Sequence, residues 1–167
     1  MLHNSQETIA SLAKSLGNLL ADKKAFISTA ESCTGGAIAE AITSVAGSSK
    51  WFDRGYVTYS NKAKRQMLSV RVNTLKKFGA VSERTVEEMA KAAIKKSGAT
   101  FSIAVSGVAG PEGGTAEKPV GTVWFAWAVN NEIETLSMKF PGDREAVRRG
   151  AVIMALQGLI VRIRRWD

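Results

Sequence analysis

Three stretches of this chain combine hydroxyls with glycines, and the first of them adds a carboxylate and a thiol. It reads Thr29-Ala-Glu-Ser-Cys-Thr-Gly-Gly36 and stands between an apolar run and a helical pattern. This order predicts a strand-to-helix loop whose free backbone N–H groups favour an anion. Ser32 or Thr34 could instead cap the helix in the ordinary way. The stretch matches neither the P-loop nor the dinucleotide-binding glycine pattern.

The second stretch runs from Gly47 to Gly55 and continues through Tyr59 to Lys64. Its serines need a base, and the only histidine, His3, lies near the terminus, so a Ser-His-Asp triad is not expected. Tyr59 ends a predicted strand and Lys64 lies one turn into the next helix, so the two side chains can face one pocket. Lysine acts as a base only where burial or nearby cations lower its pKa. Otherwise Lys64 is a solvated helix cation and Tyr59 an amphipathic residue at a strand end.

The third stretch, residues 106–114, contains four glycines and follows a predicted buried strand. Its backbone amides could approach a phosphate, an amide carbonyl or an oxyanion. The alternative is a surface loop without a ligand, but its length favours a functional role. The single cysteine, Cys33, is more typical of a small buried thiol than of a nucleophile.

The elements that must position these stretches follow from apolar periodicity, caps and turn residues. The pattern predicts helices over 5–21, 34–45, 82–97 and 143–163, with Ser82 as the N-cap of the third, and a further short helix capped by Asn61. It predicts strands over 26–30, 54–59, 101–105, 120–129 and 132–140. This succession indicates an α/β protein, a three-layer α/β/α sandwich with a mixed, largely parallel sheet. Ligands bind beyond the carboxyl ends of such strands, so the loops after Ala30, Tyr59 and Val105 are expected to form the site.

Composition and net charge further restrict the class of protein to which the chain can belong. A chain of 167 residues with 45% hydrophobic residues predicts one domain over residues 1–167. The absence of a long apolar run argues against a membrane span, and a single cysteine fits a reducing cytoplasm. No ligand spacing predicts a metal site, and no cofactor is expected. The net charge of +8 could attract an anion or nucleic acid. The basic residues of the last helix are typical of a solvated face: Arg148, Arg149, Arg162, Arg164 and Arg165.

Six motifs occur in an order that resembles the stand-alone form of the CinA C-terminal domain family, from about residue 8 to residue 160. They are Thr29-Ala-Glu-Ser-Cys-Thr-Gly-Gly36, Gly47-Ser-Ser49, Gly55-Tyr-Val-Thr-Tyr-Ser-Asn61 with Lys64, Gly79-Ala-Val-Ser82, Ser106-Gly-Val-Ala-Gly-Pro111 and Lys118-Pro-Val-Gly-Thr-Val-Trp124. Many relatives carry threonine and isoleucine at the positions of Ser106 and Val108, and the hydroxyl is retained here.

The resemblance implies an α/β/α fold and a cytoplasmic amidase of the pyridine nucleotide cycle. Such an enzyme hydrolyses the carboxamide of nicotinamide mononucleotide to nicotinate mononucleotide and ammonia, without metal or cofactor. By position, the resemblance makes Ser49 the first candidate nucleophile and Ser32 the second, with Tyr59 and Lys64 transferring the proton. The residues expected to bind the substrate are Glu31, Thr34, Gly35, Gly36, Ser106, Gly107 and Gly110.

A homo-oligomer is also expected, with a small-molecule substrate and with neither membrane nor nucleic acid as a partner. The alternative function is a competence- or damage-associated binding module, with a protein or DNA partner and no catalysis. The basic last helix is the feature that would carry it.

Overall fold

The structure is a computed structural model that describes residues 8–166. Its helices begin after N-cap residues. Helix α1 (Ile9–Asp22) starts after Thr8, whose hydroxyl accepts a hydrogen bond from Ser11 N. Residues 5–7 of the predicted first helix lie outside the described residues. The other elements are β1 (Ile27–Glu31), α2 (Ala37–Thr43), β2 (Phe52–Val57), α3 (Asn61–Leu68), α4 (Val72–Phe78), α5 (Glu83–Ser97), β3 (Phe101–Gly107), β4 (Thr122–Val129), β5 (Glu132–Lys139) and α6 (Arg144–Arg165).

Most predicted elements are present, and their boundaries differ for local reasons. Helix α2 is shorter than predicted, since Gly35 and Gly36 adopt φ of 60° and 101° and belong to the preceding loop. Ser60, rather than Asn61, caps α3 through a bond from Ala63 N. Helix α4 was not predicted from the sequence, because Thr74 is its only fully buried residue and its apolar pattern is therefore weak.

The sheet has the order β2-β1-β3-β4-β5 and confirms the predicted mixed topology. Strands β1, β2 and β3 are parallel, whereas β4 is antiparallel to both β3 and β5. Strand β5 therefore runs in the same direction as β1, and four of the five strands end at one edge of the sheet. We call this edge the carboxyl rim; the opposite edge, where β1 and β2 begin, is the amino rim.

Helices cover both faces of the sheet, which confirms the three-layer α/β/α arrangement. Helices α1, α2 and α6 pack over one face, and α3, α4 and α5 lie on the other. On the first face Trp127 is buried and donates a hydrogen bond to Ala155 O at 2.9 Å. Within the described range 8–166, no helix combines the length and the apolar character that crossing a membrane requires.

The prediction of a solvated basic face on α6 is wrong for two of its arginines. The Arg162 guanidinium lies 4.0 Å from the Trp127 ring centre and forms an ion pair with Glu134 at 2.9 Å. Arg148 turns towards the loop after β1, where it donates to two carbonyl oxygens. Both guanidinium groups are thus held by partners within the protein.

Candidate active site

Loops from four strands meet at the carboxyl rim. The segments after β1, β2 and β3 open there, as the sequence predicts. The segment after β5 opens there too, because the β4–β5 hairpin restores the direction of β1. The start of α6 is therefore a neighbour of the loop that contains Ser32.

Lys64 and Ser32 form the central contact of this rim. Lys64 lies on α3, is 1% exposed, and places Nζ 2.9 Å from Ser32 Oγ. The same Nζ donates to Thr58 O at 2.9 Å and to Tyr59 O at 3.4 Å. Ser32 follows β1 directly, and its N–H donates to Val105 O on β3, which fixes its backbone against the sheet. Strand end and helix together hold the hydroxyl and the amine in contact.

The surroundings of Lys64 make its neutral form more accessible than that of an exposed lysine. Burial lowers the pKa of its amine to about 8, and the Cys33 thiolate would oppose this shift only weakly. A neutral amine has two N–H donors and one lone pair. The two carbonyl oxygens accept the two N–H bonds, which leaves the lone pair for the Ser32 hydroxyl. The site thus has the hydroxyl and base that a serine nucleophile requires.

The side chains of Glu31 and Thr34 are buried and support the loop through internal hydrogen bonds, and their role in substrate binding stays a prediction. The Glu31 carboxylate accepts bonds from Ile38 N at 2.9 Å and Ala39 N at 3.0 Å, at the start of α2. The Thr34 hydroxyl donates to the same carboxylate at 2.6 Å. The anion expected at this helix start is thus the protein's own carboxylate.

The hydrogen bond between Tyr59 and Lys64 is made by the Tyr59 backbone, and proton transfer by the phenol and the amine stays a prediction. The Tyr59 carbonyl oxygen accepts from Lys64, whereas its hydroxyl accepts a bond from Arg144 Nη2 at 3.0 Å. The Tyr59 side chain is 58% exposed and presents its ring at the rim. A flat aromatic surface is therefore available beside the serine and lysine.

The prediction that Ser49 shares a site with Tyr59 and Lys64 is wrong. Ser49 lies in a short 3-10 turn, Ser48–Lys50, that precedes β2 at the amino rim, and it is exposed. Tyr59 follows the other end of β2, and a strand of six residues spans roughly 20 Å. The whole length of the sheet therefore separates Ser49 from the lysine.

The loop after β3 contributes one predicted residue to the lysine side of the sheet. Ser102 donates to Ala90 O on α5, and the alternation of side chains along β3 places Ser106 on the same face. Ser106 is buried beside the end of β1. Gly107 is explained by packing, since a Cβ there would lie 2.8 Å from Thr122 O. Gly110 enters the rim through its carbonyl oxygen, which accepts from Arg144 Nη1 at 2.8 Å.

Two arginines at the start of α6 were missed as site residues. Arg144 joins Tyr59 to Gly110, and Arg148 donates to Cys33 O at 3.2 Å and Thr34 O at 3.1 Å. The signal that could have identified them is the hairpin. A two-residue turn between two strands returns β5 to the direction of β1, so the loop after Phe140 had to open at the same rim.

Cys33 is confirmed as a buried thiol. Its side chain is 5% exposed, and burial raises its pKa to about 11. The thiolate needed for nucleophilic attack is therefore rare near neutral pH. In the part of the chain that the structure covers, no three His, Cys, Asp or Glu side chains group together as metal ligands.

Comparisons with known proteins agree on one family. The model described as the CinA C-terminal domain matches residues 9–163. A protein of Escherichia coli K12 named nicotinamide-nucleotide amidohydrolase PncC is 54% identical over 149 residues, which cover 89% of this chain and 90% of that protein. A protein of the same name from Enterobacter agglomerans is 51% identical over 154 residues, covering 92% and 94%.

The fold is likewise similar to a solved structure. The crystal structure of the competence damage-inducible protein A (ComA) from Klebsiella pneumoniae superposes with a TM-score of 0.93 at 42% identity, covering 96% of this chain and 99% of that one. Sequence and structure together show that this protein belongs to the CinA C-terminal domain family.

Proposed function

We propose that this protein is an amidohydrolase that converts nicotinamide mononucleotide to nicotinate mononucleotide and ammonia. The proposed nucleophile is Ser32 and the proposed base is Lys64. The observation that carries the mechanism is the 2.9 Å contact between Ser32 Oγ and an amine that burial keeps largely uncharged above pH 8. The substrate is inferred from relatives at 51–54% identity that are named nicotinamide-nucleotide amidohydrolases.

In the first half-reaction, Ser32 Oγ bonds to the carboxamide carbon while its proton passes to Lys64 Nζ. The C–N bond then breaks as Lys64 returns the proton to the departing nitrogen, and ammonia leaves. An ester between Ser32 and the nicotinate carbonyl remains. A base already in contact with the hydroxyl supports this step, because general-base catalysis requires a hydrogen-bonding distance.

In the second half-reaction, a water molecule attacks the ester carbon and gives a proton to Lys64. The ester C–O bond breaks, the proton returns from Lys64 to Ser32 Oγ, and the nicotinic acid group is released and loses its remaining proton to solvent. The buried Thr58 hydroxyl makes no hydrogen bond to any described residue and lies on the residue whose carbonyl oxygen contacts Lys64. It is a polar group available to bind a reactant at this position.

The loop after β1 would stabilise the tetrahedral intermediate. Cys33 and Thr34 are the central residues of a turn closed by Gly35 N bonding to Ser32 O. Among the described residues, the N–H groups of Cys33 and Thr34 donate to no backbone carbonyl. Donors directly after the nucleophile suit an oxyanion that forms beside Ser32.

The exposed Tyr59 ring would bind the pyridine ring of the substrate. That ring carries a positive charge in a nicotinamide nucleotide, and cations are attracted to aromatic faces. The open turn at Gly35 and Gly36, together with Ser106, would complete the wall around the base.

An ammonia-release assay on nicotinamide mononucleotide, with and without a chelator, tests the proposal. We expect release at the same rate in both conditions, because serine and lysine need no metal. Acid quenching during turnover should trap a nicotinoyl ester on the peptide that contains Ser32, detected by mass spectrometry. No ammonia from the nucleotide would refute the activity, and full loss with chelator would refute the metal-free mechanism.

A further inference from the structure

We infer that Arg144 is the phosphate-recognition residue of the carboxyl rim and selects a substrate that carries a phosphomonoester. This inference rests on the proposed function, since it concerns the same site. It adds a subsite on the far side of Tyr59 from the nucleophile. The ligand class is a ribose 5-phosphate group, which is a dianion near neutral pH.

Arg144 carries a charge that the described protein does not neutralise. Its two contacts, Gly110 O and Tyr59 Oη, are neutral oxygens. No ion pair joins it to a carboxylate in residues 8–166. Two carboxylates flank it along the chain: Asp143, which accepts a bond from Ala146 N as the cap of α6, and Glu145, which lies in the first turn of that helix. An exposed guanidinium without a counter-charge, at the mouth of a reactive site, is suited to an anionic group.

The Arg144 guanidinium has N–H donors that these two contacts do not use. Arginine has five N–H groups, and these two contacts use one on each terminal nitrogen. Three donors remain, enough for the bidentate geometry that arginine makes with phosphate. The phosphate therefore does not have to displace Tyr59 or Gly110, and both neighbours hold the fork in a fixed orientation.

Ser32 and Arg144 contact opposite ends of the same tyrosine. Ser32 Oγ lies 3.5 Å from the carbonyl oxygen of Tyr59, and Arg144 Nη2 lies 3.0 Å from the hydroxyl of the same residue. One tyrosine side chain thus separates the nucleophile from the guanidinium. In a pyridine nucleotide, one aromatic ring and one ribose likewise lie between the carboxamide and the phosphate. With its ring along Tyr59, such a ligand places its two functional ends at Ser32 and Arg144.

Arg148 is not an equivalent candidate. Its guanidinium donates to Cys33 O and Thr34 O, and these bonds brace the loop that carries Ser32. Arg149 is exposed on the same helix and contacts no described residue through an ion pair. It is therefore a matched control for the loss of one positive charge from α6.

The test compares nicotinamide mononucleotide with nicotinamide riboside, which lacks only the phosphate. For Arg144→Ala we expect kcat/KM on the nucleotide to fall about 10- to 100-fold, mainly through KM, because a charge-assisted bidentate contact is lost. Activity on the riboside should change less than threefold. Arg144→Lys should recover part of the nucleotide activity, and Arg149→Ala should change neither substrate.

A purely structural role for Arg144 predicts a different pattern. If the residue only clamps Tyr59 to Gly110, both substrates lose activity equally, and Tyr59→Phe reproduces the effect. Equal loss on both substrates, or no loss on the nucleotide, overturns the inference.

A binding measurement separates this inference from the proposed function. Calorimetric titration with ribose 5-phosphate needs no catalysis, and we expect binding to the native protein that Arg144→Ala weakens at least tenfold. Binding of this kind without ammonia release would refute the activity and retain the phosphate site. Ammonia release with no difference between Arg144→Ala and the native protein in binding would refute the phosphate site and retain the activity.

Discussion

The two rims of the sheet carry similar sequence motifs and different chemistry. At the carboxyl rim, Ser32 lies in a glycine-rich loop and contacts a buried amine. At the amino rim, Ser49 follows a glycine in the Gly47-Ser-Ser49 motif and is exposed in a 3-10 turn. Only the first serine has a base. The comparison shows that similar glycine–serine motifs acquire different surroundings according to the rim at which they lie.

The amino-rim motif has a structural explanation. Gly47 adopts φ of 87°, and the turn closes through Lys50 N bonding to Gly47 O. This turn directs Trp51 into the core against α1, where Gly17 leaves room for its ring: a Cβ at that glycine would lie 2.7 Å from Trp51 Cζ2. The motif therefore anchors β2 to the first helix.

Replacing Lys64 should have the largest effect on the carboxyl rim. For Lys64→Met, which keeps the length and the apolar stem, we expect kcat to fall about 10²- to 10⁴-fold through loss of the base. Lys62→Met, an exposed lysine on the same helix, should keep native activity. Ammonia release under saturating nucleotide measures both. Near-native turnover in Lys64→Met would contradict the role of the lysine.

The stability of the same variant sharpens the result. Folding lowers the pKa of Lys64 from 10.5 to about 8, so below pH 8 both states are protonated and the native state holds a buried cation. Between pH 8 and 10.5 the unfolded state binds the extra proton, and native stability rises with pH. Lys64→Met should therefore unfold at an equal or higher temperature than the native protein at pH 7, which would show that its inactivity is not unfolding.

The activity of the native protein should increase continuously with pH, by a smaller factor than the loss expected for Lys64→Met. If neutral Lys64 is the base, log kcat/KM should rise by about one per pH unit below about pH 8 and level off above it. A rate profile between pH 6 and 9.5 on nicotinamide mononucleotide provides the measurement. A flat profile across that range would show that no group with this pKa limits the reaction.

Replacing Glu31 should affect the loop more than the chemistry. In Glu31→Gln, an NH₂ group replaces one acceptor oxygen facing Ile38 N, Ala39 N or the Thr34 hydroxyl. We expect a loss of about 1–3 kcal/mol in the free energy of unfolding, with a smaller activity loss than for Lys64→Met. Glu40→Gln, on the exposed face of α2, is the control. Denaturant unfolding of both variants checks this, and equal stabilities would contradict the capping role of Glu31.

Much of the fold could be predicted because local signals and tertiary structure agree. Helix α5 begins after Ser82 and ends before Gly98, as its caps indicate, and the hairpin turns at Asn130-Asn131. Helix α4 was missed because it buries little. The predicted strand ends at Tyr59, whereas β2 ends at Val57, because residues typical of strands continue for two positions past the last paired residue.

The site was predicted in part. Lys64 and Ser32 could be identified as candidates, because residue types and strand ends are visible in the sequence. Their 2.9 Å contact could not, since it depends on how α3 packs beside β1. Arg144 was missed because it lies 85 residues from Tyr59 along the chain and is brought close to it by the β4–β5 hairpin. The expectation that Ser49 shares a site with Tyr59 failed because sequence order places the two close together, whereas β2 carries the chain across the sheet between them.

The most direct test compares the two serines in one assay. Ser32→Ala and Ser49→Ala remove the same hydroxyl from opposite rims, and initial rates of ammonia release from nicotinamide mononucleotide report which one reacts. The account predicts no measurable release by Ser32→Ala and native rates for Ser49→Ala, with both variants folded by circular dichroism. Native activity in Ser32→Ala together with loss in Ser49→Ala would contradict it.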